Sequence, residues 1–258
     1  MHTSATDKVD AFLELDAVVA GYGEFVILDH LSLKAARAKV TLIFGPNGAG
    51  KSTVLKTLFG LLDVRHGHIR LDGNDTTGAA PRELLTRHRV AFVPQGRNLF
   101  AQLSVYENLE LGGITLGIKA AHERIPRVLE YFPCVKERLR SPAGALSGGE
   151  QKQLEICRAL LLEPRVILID EPSAGLSPMV GKDVFRLLRE LANAGTTVLI
   201  VEQNVKSALK MADEAIALES GRQVLHRRAD ELIDEPDLER LFLGGAHATE
   251  SFSPPRPV

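Results

Sequence analysis

The octapeptide Gly45-Pro46-Asn47-Gly48-Ala49-Gly50-Lys51-Ser52 constrains the fold more than any other stretch, because it requires a strand before it and a helix after it. Both are legible. Residues 40–44 form an apolar, β-rich run, and residues 53–62, opening with Thr53, have helical period. Glycines let successive backbone N–H groups curl around a polyphosphate, while the following helix contributes its positive end. Lys51 is then expected to reach the β and γ phosphates of a nucleoside triphosphate, and the Ser52 hydroxyl to ligate Mg²⁺. A glycine-rich turn without a ligand is the plain alternative, and the loop alone fits many phosphoryl-transfer machines.

A second acidic signal follows 118 residues later. The apolar run 166–169 ends in Asp170 and Glu171, placing two carboxylates at the carboxyl end of a buried strand, where ligand sites in open α/β sheets lie. Asp170 would hold Mg²⁺ through its water shell, and Glu171 would polarise the water attacking the γ-phosphate. Two solvated acids on a surface turn are the alternative.

Runs 40–44, 90–93, 166–169, 198–201 and 215–218 are almost continuously hydrophobic, which predicts strands buried on both faces. They alternate with helical segments, so the expected class is α/β, with a mostly parallel sheet flanked by helices. Residues 13–19, 28–33 and 68–72, the last leading into Asp72-Gly73-Asn74, predict an antiparallel layer beside it. Between Gln95 and the glycines at 148 and 149 the period turns helical, with amphipathic helices over 105–112 and 120–132. A helical subdomain over about 96–160 is therefore expected within a domain spanning 12–245. Residues 1–11 and the Ser- and Pro-rich 246–258 are expected to be flexible.

Composition narrows the function classes. The 258 residues carry a formal charge of −2 with acids and bases interspersed, so no basic stripe argues for a nucleic-acid partner. Arg82, Arg87, His88 and Arg89 read as a solvated face. Cys134 and Cys157 lie far apart and outside metal-ligand spacing, which suits a reducing compartment. Residues 1–10 are polar and lack a secretory core, and runs such as 166–169 and 196–201 fall well short of the ~20 residues that span a bilayer. The chain is expected in the cytoplasm, reaching a membrane only through partner proteins.

Leu146-Ser147-Gly148-Gly149-Glu150-Gln151, just before the strand ending in Asp170-Glu171, matches the signature motif of ABC-type ATPases. Together with Gln95, residues 173–177 and the two ATP motifs, it makes the chain resemble an ABC nucleotide-binding subunit, a P-loop NTPase, over nearly all of 12–245. A two-glycine linker is the bland reading. The physics agrees with the resemblance: a serine hydroxyl and glycine N–H groups at a helix N-terminus form a receptor for a terminal phosphate. The resemblance implies that Ser147, Gly148 and Gly149, with Gln151 of the same motif, face ATP held by a second such subunit. One chain has one phosphate loop and one signature, so a site needs two chains.

The resemblance assigns further roles. Tyr22, in Gly21-Tyr22-Gly23, matches the aromatic that stacks on adenine. Gln95 matches the glutamine that touches Mg²⁺ and links the ATP site to the membrane partner. Ala174-Gly175-Leu176-Ser177-Pro178 occupies the place of the loop that communicates between ATP sites, without the acid usual there. Gln203 falls where most members carry a histidine reaching the γ-phosphate; an amide can donate a hydrogen bond there but cannot titrate near neutral pH.

Val201-Glu202-Gln203-Asn204, the stretch from Asp170 to Pro178, Val93-Pro94-Gln95-Gly96-Arg97 and Leu241-Phe242-Leu243-Gly244-Gly245 resemble the smaller ATPase subunit of branched-chain amino-acid importers. Importers for urea, short amides or other amino acids share these features. That type implies a second ABC ATPase subunit as homo- or heterodimer partner, two integral-membrane permeases, and indirectly a solute-binding protein, with this chain peripheral on the inner face of the cell membrane. An exporter ATPase is the nearest alternative. A soluble non-transport ABC ATPase would usually bring tandem domains, coiled-coil insertions or basic extensions, and a regulatory module without turnover would have no need of both Lys51 and Glu171.

Overall fold

The computed structural model describes residues 11–96, 98–233 and 235. The expected flexible ends and the 241–245 motif therefore lie outside the described residues, apart from Ala11. The strands are β1 (Ala11–Tyr22), β2 (Phe25–Ala36), β3 (Val40–Phe44), β4 (Val64–Leu71), β5 (Asn74–Asp75), β6 (Val90–Val93), β7 (Val166–Asp170), β8 (Thr197–Val201), β9 (Glu214–Glu219) and β10 (Arg222–Arg228). The helices are α1 (Lys51–Leu58), α2 (Pro81–Thr86), α3 (Val105–Gly112), α4 (Ile118–Leu129), α5 (Pro133–Lys136), α6 (Gly148–Leu160), α7 (Pro178–Asn193), α8 (Val205–Leu209) and α9 (Ala229–Leu232).

The larger sheet has the order β10-β9-β3-β8-β7-β6, with every neighbour parallel except the antiparallel pair β10–β9. The smaller sheet, β2-β1-β4-β5, is antiparallel throughout. The apolar runs are continuous because the central strands feed two cores at once. Leu42, Phe44, Ile167, Ile169, Val198 and Ile200 face the core shared with α3, α4, α6 and α7. Their neighbours Ile43, Val166, Leu168, Leu199 and Val201 face the other core, shared with α1 and the small sheet. Alternate residues of a strand point to opposite faces, so a strand covered on both sides reads as apolar throughout.

Several boundaries depart from the sequence expectation. The helix after the phosphate loop ends at Leu58 instead of 62: Gly60 takes φ +70°, and a Cβ there would lie 2.4 Å from the Ala79 carbonyl oxygen. The helix expected over 120–132 starts two residues earlier and ends at Leu129, since Phe132 is driven out of the helical region before Pro133. Strand β10 was not expected; its polar run makes a charged edge strand, which lacks the alternation of a half-buried one. The Asp72-Gly73 turn joins β4 to β5 with both φ values positive, as a two-residue hairpin requires.

Candidate functional site

The site is built at the carboxyl ends of β3, β7 and β8. Gly45 leaves β3 at φ +147°, with its backbone against β9: a Cβ there would lie 2.1 Å from the Leu218 carbonyl oxygen, so no side chain fits. Gly50 caps α1 in the left-handed region at φ +96°. Pro46, Asn47, Gly48 and Ala49 form the turn between them, and Ala49 N–H donates to the Pro46 carbonyl at 3.2 Å. Lys51, Ser52 and Thr53 form the first turn of α1, where helix geometry leaves N–H groups without intrahelical partners.

Lys51 is buried, and its Nζ donates to the Gly45 and Pro46 carbonyls at 2.9 Å each. Burial lowers its pKa, an effect partly offset by Glu171 and Asp170. Ser52 Oγ donates to Asp170 Oδ1 at 3.1 Å. Burial raises the Asp170 carboxyl above its ordinary range, the Ser52 bond pulls the other way, and Glu171 adds to the rise.

Glu171 follows β7 at φ +50°, a conformation uncommon for a residue with a side chain. Its N–H donates to the Val201 carbonyl of β8 at 2.9 Å. The buried carboxylate accepts from Gln95 Nε2 on one oxygen and from Gln203 Nε2, at 2.5 Å, on the other. Residues singled out at three separate points of the sequence thus meet: Gln95 and Gln203 hold Glu171, which is next to Asp170. Ser52 and Lys51 complete the same corner.

The remaining sequence-selected residues occupy its surroundings. Ser147 is the N-cap of α6 in a reciprocal capping box: its Oγ accepts from Glu150 N–H, and Glu150 Oε2 accepts from Ser147 N–H at 2.8 Å. Gly148 and Gly149 open that helix. Gln151 turns its amide to the Ala143 and Leu146 carbonyls, each at 3.2 Å, fastening the loop before the helix. Gly148, Gln151, Gln95, Gly96, Glu171 and Gly175 are among the residues lining one cavity of about 520 Å³. Tyr22 sits half-exposed at the end of β1, its hydroxyl accepting from Lys56 Nζ at 3.2 Å.

Two contributors were not singled out from the sequence. Lys56 ties Tyr22 to the phosphate-loop helix, and no motif marks it. Glu202 is buried between loops, accepting N–H bonds from Ser173 at 2.7 Å, Gln203 at 3.1 Å and Asn204 at 3.3 Å. Burial nevertheless raises its pKa. An acid closing the apolar run of β8 was the available signal, overshadowed by the glutamine beside it.

A family model described as "ABC transporter" matches residues 28–174. The high-affinity branched-chain amino acid transport ATP-binding protein BraG of Pseudomonas aeruginosa is 40% identical over 233 residues, covering 90% of this chain and 100% of the relative. The probable branched-chain amino acid transport ATP-binding protein LivF of Archaeoglobus fulgidus is 38% identical, covering 87% and 95%. The crystal structure of a nucleotide-free ATP-binding cassette from an ABC transporter superposes with TM-score 0.82 at 29% identity, covering 91% of this chain and 99% of that one. The dimeric structure of a bacterial ABC transporter cassette gives TM-score 0.74 at 28% identity, covering 84% and 98%. With a matching family model over more than half its length, and a relative it covers entirely at 40% identity, this chain belongs to the ABC transporter family as an ATP-binding subunit.

Proposed function

We propose that this chain powers an importer of branched-chain amino acids, or of related amino acids, amides or urea, by binding and hydrolysing ATP in a dimer of ATPase subunits seated on two membrane permeases at the inner face of the membrane. The observation that carries the hydrolytic part is the Glu171 carboxylate held between Gln95 and Gln203 beside the Ser52–Asp170 pair. Full-length similarity to BraG supports the importer class.

The roles follow from chemistry. Residues 45–53 cradle the phosphates, Lys51 exchanges its two loop carbonyls for phosphate oxygens, and Tyr22 offers a ring face to the adenine. Among the described residues no cluster of three or more His, Cys, Asp or Glu side chains could hold a metal ion alone. That suits Mg²⁺, which takes one or two protein oxygens and completes its shell with phosphates and water; Ser52 and Asp170 fit, with Gln95 as a further oxygen donor. When bound, the ion neutralises charge on the phosphate oxygens. Glu171 accepts the proton of the attacking water, and its two amide partners, both donors, keep the carboxylate aimed. Ser147, Gly148 and Gly149 present the N-terminus of α6 to the nucleotide of the second subunit, which completes that site.

Among the described residues no helix is long and apolar enough to cross a membrane, so permease partners supply the spanning path in this reading. Glu171→Gln tests it. The variant is expected to bind ATP like the wild type, lose steady-state hydrolysis by at least about a hundredfold, and shift to dimer size in gel filtration with Mg²⁺ and ATP. Near-normal turnover would remove Glu171 from its role. Deleting the chain from its host is expected to abolish uptake of labelled leucine, isoleucine and valine; unchanged uptake would overturn the cargo assignment.

A further inference from the structure

Two buried charges stand outside the site chemistry. Lys152 and Glu155, one turn apart on α6, form an ion pair at 2.6 Å with side chains only 9% and 3% exposed. Desolvating such a pair costs as much as or more than the attraction returns, and an apolar pair of similar volume is often at least as stable. Helix stability therefore gives no reason for it. Both residues also line the 520 Å³ cavity with Gln95 and Glu171.

The reason is visible at the other oxygen of the carboxylate. Glu155 Oε1 accepts the backbone N–H of Asn98 at 3.2 Å, and Arg158, on the same face of α6, donates through Nη1 to the Asn98 carbonyl at 2.7 Å. Both backbone groups of one loop residue are thus held by side chains of one helix. Two residues on, Asn108 of α3 does the same for Phe100, accepting its N–H at 2.9 Å and donating to its carbonyl at 3.0 Å. The chain between β6 and α3 is pinned at 98 and 100 by main-chain bonds that do not depend on the loop's own side chains. Upstream, Gly96 takes φ +87° and Gln95 donates to Glu171.

We propose that Glu155, charge-balanced by Lys152, is a positioning residue for Gln95: with Arg158 it holds the backbone at Asn98, three residues downstream, so that the Gln95 amide meets the Glu171 carboxylate. This deepens the reading of Glu171 and Gln95 given above and rests on it. The acceptor oxygen at position 155 is the working element, and Lys152 makes it tolerable to bury.

The test separates acceptor from charge and from packing. K152Q/E155Q keeps an oxygen acceptor for Asn98 N–H while removing both charges; K152M/E155L keeps volume and removes the acceptor. In the full-length protein, K152M/E155L is expected to melt at or above the wild-type temperature, bind ATP within about twofold of it, and lose kcat by about tenfold, on the order of one hydrogen bond. K152Q/E155Q is expected to recover kcat to within about threefold. Hydrogen–deuterium exchange, which needs no turnover, is expected to speed up for peptides spanning 95–100 in K152M/E155L alone, so it distinguishes failure of the clamp from failure of the hydrolytic reading. Wild-type kcat in K152M/E155L, equal losses in the two variants, loss of ATP affinity matching that of kcat, or unchanged exchange would each overturn the proposal.

Discussion

Gln203 holds one oxygen of Glu171 from just beyond β8, at the place where most members of the wider family carry histidine. An amide donates without titrating, so turnover should carry no imidazole limb from this position. Gln203→His is expected to retain a donor but to add a new limb near pH 6.5 to the kcat profile, the ordinary imidazole pKa. An unchanged profile would show that position 203 takes no part. The sequence supplied Gln203 and Glu171 as separate candidates. Their contact was not legible, because it depends on the order β8-β7-β6, which sets the ends of those strands side by side, with Glu171 at the end of the middle one. Glu202 escaped notice for a similar reason: its partners are backbone N–H groups, and those leave no mark on composition.

At the level of elements, α6 shows how a motif proposed for recognition also serves folding. Ser147 and Glu150 satisfy each other's N–H groups, so the same serine that would face a phosphate fixes where the helix starts. The bonds to Ser147 also hold the Glu150 carboxyl below its usual range. Ser147→Ala is expected to lower stability by about 1 kcal/mol, read as a reduced urea midpoint at unchanged slope. Ser147→Asp should keep the cap and its stability yet lose ATP-driven dimerisation, because a carboxylate repels the γ-phosphate. If both variants dimerise normally, the serine is structural only. Element types over 40–44, 90–93, 105–112 and 166–169 were legible because periodicity is a local property. Helix ends at Leu58 and Leu129 were not, since a single Gly60 or Pro133 overrode a pattern that continues past it.

Across the whole molecule, distant segments are tied by charges placed at strand starts. Asp213, just before β9, accepts the Val40 N–H of β3 at 2.8 Å, Arg189 of α7 at 2.6 Å and Lys39 at 3.2 Å. Burial by itself would raise this carboxyl, but the three donors outweigh it and hold the pKa below the usual carboxylate range. A depressed folded-state pKa contributes stability that is present above the unfolded value of about 3.9 and is lost as pH falls toward the folded one. Asp213→Asn should therefore destabilise by about 1–2 kcal/mol at pH 7, with the gap to wild type closing below about pH 4. A gap constant from pH 7 to pH 3 would show that shape, not charge, matters there. The two sheets are joined in a comparable way: the buried Phe12 ring has the Arg37 guanidinium 3.9 Å and the Arg165 guanidinium 4.9 Å from its centre, and both arginines reach Asp72.

The sequence by itself determined the class of ligand and the α/β class of the fold, and it pointed to the two motif ends of the proposed nucleotide site. Each of these rests on short-range patterns: glycines between a strand and a helix, two acids ending an apolar run, and a serine with two glycines where a helix begins. Tertiary structure alone decided that residues 95, 171 and 203 share one carboxylate, that Lys56 braces Tyr22, and that side chains of α6 grip the backbone at Asn98. The contacts among 95, 171 and 203 are set by the parallel order β8-β7-β6, which brings together strand ends far apart in the chain, and the other two by helices packed beside the strands. Hydrogen bonds across such distances have no period, so no local pattern in the sequence encodes them.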